Sequence, residues 1–271
     1  IEDRTGWAGF GIIPFLPAAA RLPAEDAVVL EGPRAHGGGR YVIAVPMLSR
    51  IANFDDADPL RLHPEIDLRF IPPGRAIPSD VDLIIIPGTK STIADLRFLR
   101  AQGWDADIEA HHGAGKPVIG LCGGYQMLGT VVADPDGVEG SPGEVPGLGL
   151  LAVTTVLEAP KVVRSVVARE EDFGLDVPGY EIHCGRTTAD GESEPFLSVD
   201  GEIVGRRSSD GLVYGAYVHG LLLDDRFRIA MLARLGLPLA AGLSYQASVD
   251  SALDELAAAL QDHLDIEAML G

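Results

Sequence analysis

The chain has 271 residues, of which 46% are hydrophobic, so it is long enough to bury the core of one large or two small domains. Its formal net charge of −19 argues against nucleic-acid or anionic membrane partners, since their phosphates would be repelled. No apolar stretch is long enough to span a bilayer, no signal peptide is recognisable, and two cysteines do not make a disulfide scaffold. We therefore expect a cytoplasmic protein.

The first residues of the sequence have the pattern of the C-terminal end of a preceding domain, which predicts that this sequence is part of a longer chain. It does not start with Met, and a β-like run covers residues 10–15. The glycine cluster at 37–39, preceded by Gly32 and Pro33, is typical of a linker. We therefore predict one segment with its linker over residues 1–36 and a domain over residues 37–271.

After the linker, apolar runs alternate with helical patterns. Strands are predicted over 40–45, 66–71, 81–86 and 117–120, and a helix over 92–110, where Thr92 and Asp95 have the spacing of a capping box. This alternation predicts an α/β fold with a doubly wound, mostly parallel, flavodoxin-like sheet, helices on both faces and ligands at the carboxyl ends of the strands. The second half is rich in predicted strands and closes with an amphipathic helix over 249–264.

A cysteine flanked by glycines follows the fourth predicted strand. The sequence Gly120-Leu121-Cys122-Gly123-Gly124 stands between an apolar run and a helical pattern, the order of a nucleophile elbow. Small neighbours permit the sharp turn, and the amides of the following helix favour a thiolate. A free cysteine is usually an inert core residue, but this spacing favours a nucleophile.

A cysteine nucleophile normally needs a base that is distant in sequence and near in space. His219 directly follows the alternating strand at 213–218, which places it at the same sheet edge as Cys122. The histidines His63, His111 and His112 have the pattern of surface residues, and we assign them no role.

Acyl transfer also needs donors for the developing oxyanion. The loop at 87–92 leaves a buried strand and enters a helix, so the amide of Gly88 or Thr89, together with that of Gly123, is predicted to form the oxyanion hole. Two other site classes are excluded. Pro117 replaces the Ser or Thr of an ATP-binding loop, and the histidine at 183 has no second ligand cluster, so no metal site is predicted.

Four segments together carry a family resemblance: residues 87–92, 120–129, 179–187 and 217–221. They resemble the motifs of class I glutamine amidotransferases, and among them those of the glutaminase portion of the cobyric acid synthase family. The segment 50–60 is similar to one found chiefly in that narrower family. Residues 1–31 resemble the end of the ATP-dependent synthetase domain that precedes the glutaminase there.

The resemblance implies that Cys122 attacks the side-chain amide of glutamine, forming a glutamyl thioester and releasing ammonia, while His219 transfers the proton. It also implies a glutamine pocket that includes Gln126, Glu181, His183 and Arg186. The ammonia would amidate corrin side-chain carboxylates of adenosylcobyrinic acid a,c-diamide. ATP and Mg are expected in the synthetase domain, and no cofactor is expected in this chain.

One departure from the broader class concerns the acid that orients the histidine. Many class I enzymes carry Glu two residues after it, where this chain has Leu221, as the cobyric acid synthase pattern does. A dyad, or an acid supplied by Glu181 or Asp224, stays open. The alternatives are the same chemistry for cobyrinic acid a,c-diamide or for cell-wall lipid amidation, a γ-glutamyl peptidase, and a non-catalytic module.

Overall fold

The computed structural model describes residues 2–23, 39–240 and 244–270. Residues 39–240 form an α/β unit, while residues 2–23 and 244–270 together form a smaller unit. The segment that closes the chain therefore groups with the N-terminal segment. The predicted boundary between residues 36 and 37 lies outside the described residues and stays a prediction.

The helices are α1 (Glu2–Thr5), α2 (Asp58–Arg61), α3 (Thr92–Ala101), α4 (Trp104–Gly113), α5 (Gly123–Leu128), α6 (Asp225–Arg234), α7 (Tyr245–His263) and α8 (Ile266–Leu270). Short 3-10 turns cover Pro17–Arg21, Phe54–Ala57 and Leu221–Leu223. The strands are β1 (Tyr41–Pro46), β2 (Ile51–Ala52), β3 (Ile66–Ile71), β4 (Leu83–Ile86), β5 (Gly88–Thr89), β6 (Val118–Leu121), β7 (Val131–Asp134), β8 (Gly143–Pro146), β9 (Val153–Val156), β10 (Val162–Glu170), β11 (Asp176–His183), β12 (Arg186–Ala189), β13 (Ser193–Val199), β14 (Glu202–Ser208), β15 (Val213–Ala216) and β16 (Val218–His219).

The main sheet has the strand order β16-β11-β10-β13-β14-β15-β6-β4-β1-β3. Five neighbouring strands, β3, β1, β4, β6 and β15, run parallel to one another. From β15 the sheet continues through β14, β13, β10 and β11 to β16, and each of these pairs is antiparallel. The α/β fold is confirmed, and the strand-rich second half of the chain supplies the antiparallel extension. A smaller, four-stranded sheet has the strand order β12-β9-β7-β8.

Both faces of the parallel strands are covered. In β4, Leu83 and Ile85 belong to one apolar core together with residues of α6, whereas Ile84 and Ile86 belong to a second core with residues of α3 and α4. All four side chains are almost completely buried. This is why β4 is a continuous apolar run, as expected for a strand with helices on both sides.

The predicted helix over 92–110 is two helices. It breaks before Gly103, which has a left-handed φ of +78° that only glycine adopts readily. The predicted capping box is wrong: Ser91 is the N-cap residue and makes no side-chain cap bond. The carboxylate of Asp95 is fully buried and instead accepts hydrogen bonds from the amide of Arg50 and the hydroxyl of Thr89.

In the smaller unit, α7 matches the predicted amphipathic helix and packs against the turn Pro17–Arg21. Arg21 and Glu255 form an ion pair of 2.6 Å there. The strand predicted over 10–15 is wrong, since a single bridge joins Gly11 to Leu264. None of the helices in the described ranges combines the length and apolarity that crossing a membrane requires.

Candidate active site

Cys122 occupies the turn between the end of β6 and the start of α5. Its backbone has φ +51° and ψ −107°, a strained conformation for a residue with a side chain. Its amide donates to the carbonyl of Ala216 on β15 at 2.8 Å, which fixes the turn to the sheet. A β-carbon at Gly124 would stand 2.1 Å from the carbonyl oxygen of Ile86, so the glycine lets α5 approach β4. The chain thus makes the sharp strand-to-helix turn that its glycine spacing predicts.

His219 lies in β16, fully buried, and is held by an acid from another part of the chain. Its Nδ1 lies 2.6 Å from Oδ2 of Asp56, whose Oδ1 accepts the amide of Gly220 at 2.7 Å. The imidazole also stacks on Tyr180, with ring centroids 5.1 Å apart. The two oxygens of Asp56 therefore fix both the side chain and the backbone at the histidine.

The charge of His219 follows from this pairing. Burial is the largest influence and disfavours the imidazolium, but the attraction and hydrogen bond of Asp56, together with the interaction with Cys122, outweigh it and raise the pKa of His219 to about 10. The ring is therefore protonated at neutral pH. Its Nε2 hydrogen-bonds to none of the described residues. Cys122 Sγ lies 3.5 Å from the Ile182 carbonyl oxygen.

Neither acid considered from the sequence supports the histidine. Glu181 is buried against Arg164, whose Nε donates to it at 2.6 Å. Burial is the largest influence on the pKa of Glu181 and would raise it, but the interactions with His183 and Arg164 outweigh burial and lower this pKa. Asp224 caps the first turn of α6 through backbone amides. The acid is Asp56, 163 residues before the histidine, and the only signal for it was the family resemblance of segment 50–60.

A cavity of about 440 Å³ opens beside the cysteine. Its lining consists of Ala52, Asn53, Thr89, Lys90, Thr92, Cys122, Gln126, Val138, Glu139, Lys161, Ile182, His183 and Cys184. Of the predicted pocket residues, Thr89, Gln126 and His183 are therefore brought together with the cysteine. Glu181 and Arg186 are not lining residues of this cavity: Glu181 is buried, and Arg186 is exposed at the start of β12.

The predicted oxyanion donors lie next to one another. A β-carbon at Gly123 would stand 3.2 Å from the backbone nitrogen of Thr89, so the two amides approach each other beside Cys122. Gly88 and Thr89 form β5, which pairs with β2. The hydroxyl of Thr89 points elsewhere, to the carboxylate of Asp95, so the loop offers its backbone to the cavity.

Gln126 holds the cavity wall through both ends of its amide. Its Oε1 accepts from the hydroxyl of Thr92 at 2.8 Å, and its Nε2 donates to the carbonyl of Cys184 at 2.9 Å and to the hydroxyl of Tyr217 at 3.2 Å. His183 stacks on the same tyrosine at 3.7 Å. The contact of Gln126 with glutamine stays a prediction. In the structure, the Gln126 side chain links Thr92, Cys184 and Tyr217 by hydrogen bonds at the cavity.

Two histidines that the sequence places at the surface are buried. Nδ1 of His63 accepts the amide of Glu65 at 3.3 Å, and Nε2 of His111 lies 3.0 Å from the carbonyl oxygen of Pro117. Burial lowers the pKa of His111. Each of these two histidines forms a hydrogen bond with a backbone group nearby in sequence. The hydrophobicity of the neighbouring residues does not indicate such a contact, and the sequence therefore did not predict that the two side chains are buried. His112, with Asp210 at 3.0 Å, is the half-exposed residue of the pair.

Gly88 leaves room between the cysteine and the histidine. A β-carbon there would stand 3.3 Å from Cε1 of His219, 3.7 Å from Cβ of Cys122 and 3.1 Å from a backbone oxygen of Ala52. We expect Gly88→Ala to lower the rate of the glutamine hydrolysis that the family resemblance implies by about 10- to 100-fold, because the two reacting groups must move apart. Steady-state kinetics measures this.

The matched control for this glycine is Gly113→Ala, at a helical position with no atom within 4 Å of the new β-carbon. It should leave the rate unchanged. Equal rates for both variants would show that the space at Gly88 is not needed.

Solved structures with this fold share little sequence with the chain. One titled "Crystal structure of glutamine amidotransferase" aligns with a TM-score of 0.54 at 19% identity, covering 72% of this chain and 98% of that one. Another, titled "Structure of PurLQS from Thermotoga maritima", aligns with a TM-score of 0.52 at 16% identity, covering 79% and 99%. At these identities the likeness shows the fold. The family membership follows from a different comparison. The model of the family described as CobB/CobQ-like glutamine amidotransferase domain matches residues 42–227 of this chain. The chain belongs to this family.

Relatives of this amidotransferase domain are much closer in sequence. A protein of Hyphomonas neptunium named cobyric acid synthase is 55% identical over 267 residues, which is 98% of this chain and 54% of the relative. One of the same name from Novosphingobium aromaticivorans is 53% identical over 271 residues, 100% of this chain and 55% of the relative. The chain spans about half the length of the curated relatives it matches.

Proposed function

We propose that this chain is the glutaminase part of a cobyric acid synthase. It hydrolyses glutamine through a thioester on Cys122 and supplies ammonia for the ATP-dependent amidation of corrinoid side-chain carboxylates. The observation that carries the proposal is a cysteine held at φ +51° in the wall of a cavity, beside a buried histidine paired with Asp56. This combination activates a thiol and protonates a leaving group in one place.

In the first half of the reaction, the thiolate of Cys122 attacks the side-chain amide carbon of glutamine. A C–S bond forms, and the carbonyl electron pair moves to an oxygen that the amides of Thr89 and Gly123 stabilise. The C–N bond then breaks as the imidazolium of His219 gives its proton to the departing nitrogen, which leaves as ammonia. The protonated state of His219 at neutral pH supports this role.

In the second half, water replaces ammonia. The now neutral His219 takes a proton from a water molecule, and the oxygen of that water attacks the thioester carbon. The C–S bond breaks, glutamate leaves, and the thiolate and imidazolium are restored. Asp56 keeps Nδ1 protonated in both halves, so that Nε2 is the atom that exchanges the proton.

The acceptor half of the proposal rests on the relatives' name and length. Adenosylcobyrinic acid a,c-diamide would receive the ammonia, and ATP with Mg would bind in a synthetase domain to which residues 1–36 belong. A cytoplasmic location is part of the same proposal. High identity along 98% or more of this chain supports it over the other acceptors considered.

The direct test uses the full-length protein with ATP, Mg and the corrinoid diamide. Acid quenching during turnover of L-glutamine, followed by mass spectrometry, should find a glutamyl group on Cys122, with glutamate and amidated corrinoid as products. Amidation of cobyrinic acid instead would redirect the acceptor. If glutamate does not form, the glutaminase proposal is wrong.

A further inference from the structure

One aromatic ring touches the histidine but has no part in the proposed chemistry. Tyr180 on β11 is the register partner of His219 on β16, and the two rings stack with centroids 5.1 Å apart and planes inclined by 21°. Directly opposite residues on neighbouring strands meet in this way. A β-carbon at Gly179 would stand 2.4 Å from the carbonyl oxygen of His219, so the glycine before the tyrosine lets the two strands approach. The stack is therefore built into the register of the sheet.

The hydroxyl of Tyr180 is tied to the segment that supplies the acid. Nδ2 of Asn53 donates to this hydroxyl at 2.7 Å, and the backbone carbonyl of Asn53 accepts the amide of Asp56 at 3.2 Å. Asn53 has φ +52°, in the left-handed region that asparagine enters more readily than most residues. Since Asp56 holds Nδ1 of His219, the contacts close into a circuit in which the ring stack is the last link. The imidazole is held at its edge by a carboxylate and on its face by a ring.

The face of a neutral tyrosine suits a protonated imidazole. Aromatic rings carry partial negative charge on their faces, and a cation within about 6 Å of the ring centre is stabilised there. Burial and the carboxylates of Asp56 and Asp55 raise the pKa of Tyr180 to about 12, so the phenol stays neutral wherever His219 is protonated. Among the described residues, the titratable groups that face His219 from the elements around it are Asp55, Asp56, Cys122 and Tyr180.

Tyr180 acts through the histidine and not on the substrate. It is not one of the described residues that line the cavity, and its hydroxyl is occupied by Asn53. If the ring served only to fill space, any apolar side chain of similar size would replace it. If it stabilises the imidazolium, only another aromatic ring would do so. These two roles make different predictions for the same substitutions.

We infer that Tyr180 is a positioning residue for His219: its ring stabilises the imidazolium and fixes the plane in which Nε2 transfers its proton to the departing nitrogen. This rests on the proposed glutaminase function, because that reaction is the one in which the proton moves. Asn53 supports the ring by joining it to the turn that carries Asp56.

The first test measures the histidine and needs no turnover. In the full-length protein labelled with ¹³C-histidine, the NMR signal of His219 is assigned by its absence in His219→Gln and followed over pH. Tyr180→Leu should lower the pH at which His219 titrates by about one pH unit, the usual worth of one such contact. Tyr180→Phe keeps the ring and should restore most of the wild-type value. Phenylalanines with increasing fluorination at position 180 keep the shape but weaken the charge on the face, so they should lower the value stepwise.

The second test measures hydrolysis of L-glutamine by the same variants. Tyr180→Leu should lower kcat by about 10-fold with little change in KM, because orientation of the proton donor is lost while the cavity lining is kept. The upper limb of its pH profile for kcat should move down by about one pH unit, in step with the NMR titration. Tyr180→Phe should recover most of kcat.

The matched control is Tyr41→Leu, which removes a buried tyrosine ring from β1. It should leave the titration of His219 and the pH profile unchanged. An unchanged titration in Tyr180→Leu would overturn the inference, as would equal losses in the leucine and phenylalanine variants or a matching shift in the control. If the titration moves as expected but wild type releases no glutamate, the proposed function is wrong while the contact between Tyr180 and His219 stands.

Discussion

Cys122→Ala should remove glutamine-dependent amidation by the full-length protein, with a rate loss of at least about 10⁴-fold, while amidation with added ammonium salt continues at the wild-type rate. The reason is the proposed division of labour, in which the sulfur is needed only to release ammonia from glutamine. The measurement is corrinoid amide formation with each nitrogen donor. Alanine accepts the turn about as well as cysteine does, so the fold should be retained.

The matched control is Cys184→Ala, the second cysteine in the cavity lining. Its contact to Gln126 uses the backbone carbonyl, which the substitution keeps, so most of the glutamine-dependent activity should remain. Loss of both nitrogen sources in Cys122→Ala, or of neither, would contradict the proposed division. Loss in both cysteine variants would point to a general disturbance of the cavity.

Asp56→Asn should lower glutamine hydrolysis by about 10²- to 10³-fold. An asparagine amide carries no charge to stabilise an imidazolium, so the effect of burial at His219 would be opposed only by the interaction with Cys122, and the pKa of His219 would fall. The ring would then be neutral at pH 7 and lack the proton for the leaving group. Glutamate release and the pH dependence of kcat both report this.

The same variant predicts a pH effect on stability. Because folding raises the pKa of His219 from 6.5 to about 10, its contribution to the free energy of unfolding is complete below pH 6.5 and is lost as pH rises through 10. Wild type should therefore exceed Asp56→Asn by about 3 kcal/mol near neutral pH, the usual cost of breaking a buried pair. The difference should shrink towards pH 10.

Asp55→Asn is the control for Asp56→Asn, since it removes a charge one residue away that makes no direct contact with the histidine. Its effect on hydrolysis should be much smaller. Denaturant unfolding between pH 6 and pH 10 gives the stability difference. A constant difference across that range would show that His219 is not the titrating partner of Asp56.

The parallel part of the fold could be predicted from the sequence because its signals are local. Residues 66–71 coincide with β3, and the glycines around Cys122 predicted a turn that the backbone makes. Where tertiary contacts override local pattern, the sequence was misleading. Asp95 has the spacing of a capping-box residue, but its buried carboxylate accepts hydrogen bonds from Arg50 and Thr89 instead.

The site was predictable only where chemistry and sequence position coincide. Cys122 and His219 each follow a recognisable strand, and the sheet brings their edges together. Asp56 and Glu139 lie in turns whose sequence says nothing about which strand end they face. Their positions depend on long-range contacts, to Gly220 in one case and to Thr92 in the other, and no periodicity records such contacts.

The smaller unit is built from both termini, while every cavity residue comes from the α/β unit between them. In chain order, the α/β unit therefore lies between the two segments of the smaller unit. Substitutions on α7 should be compensated by changes near the turn Pro17–Arg21, more than two hundred residues away, as the pair Arg21–Glu255 illustrates with a separation of 234 residues. We expect the two terminal segments to covary in evolution independently of the cavity.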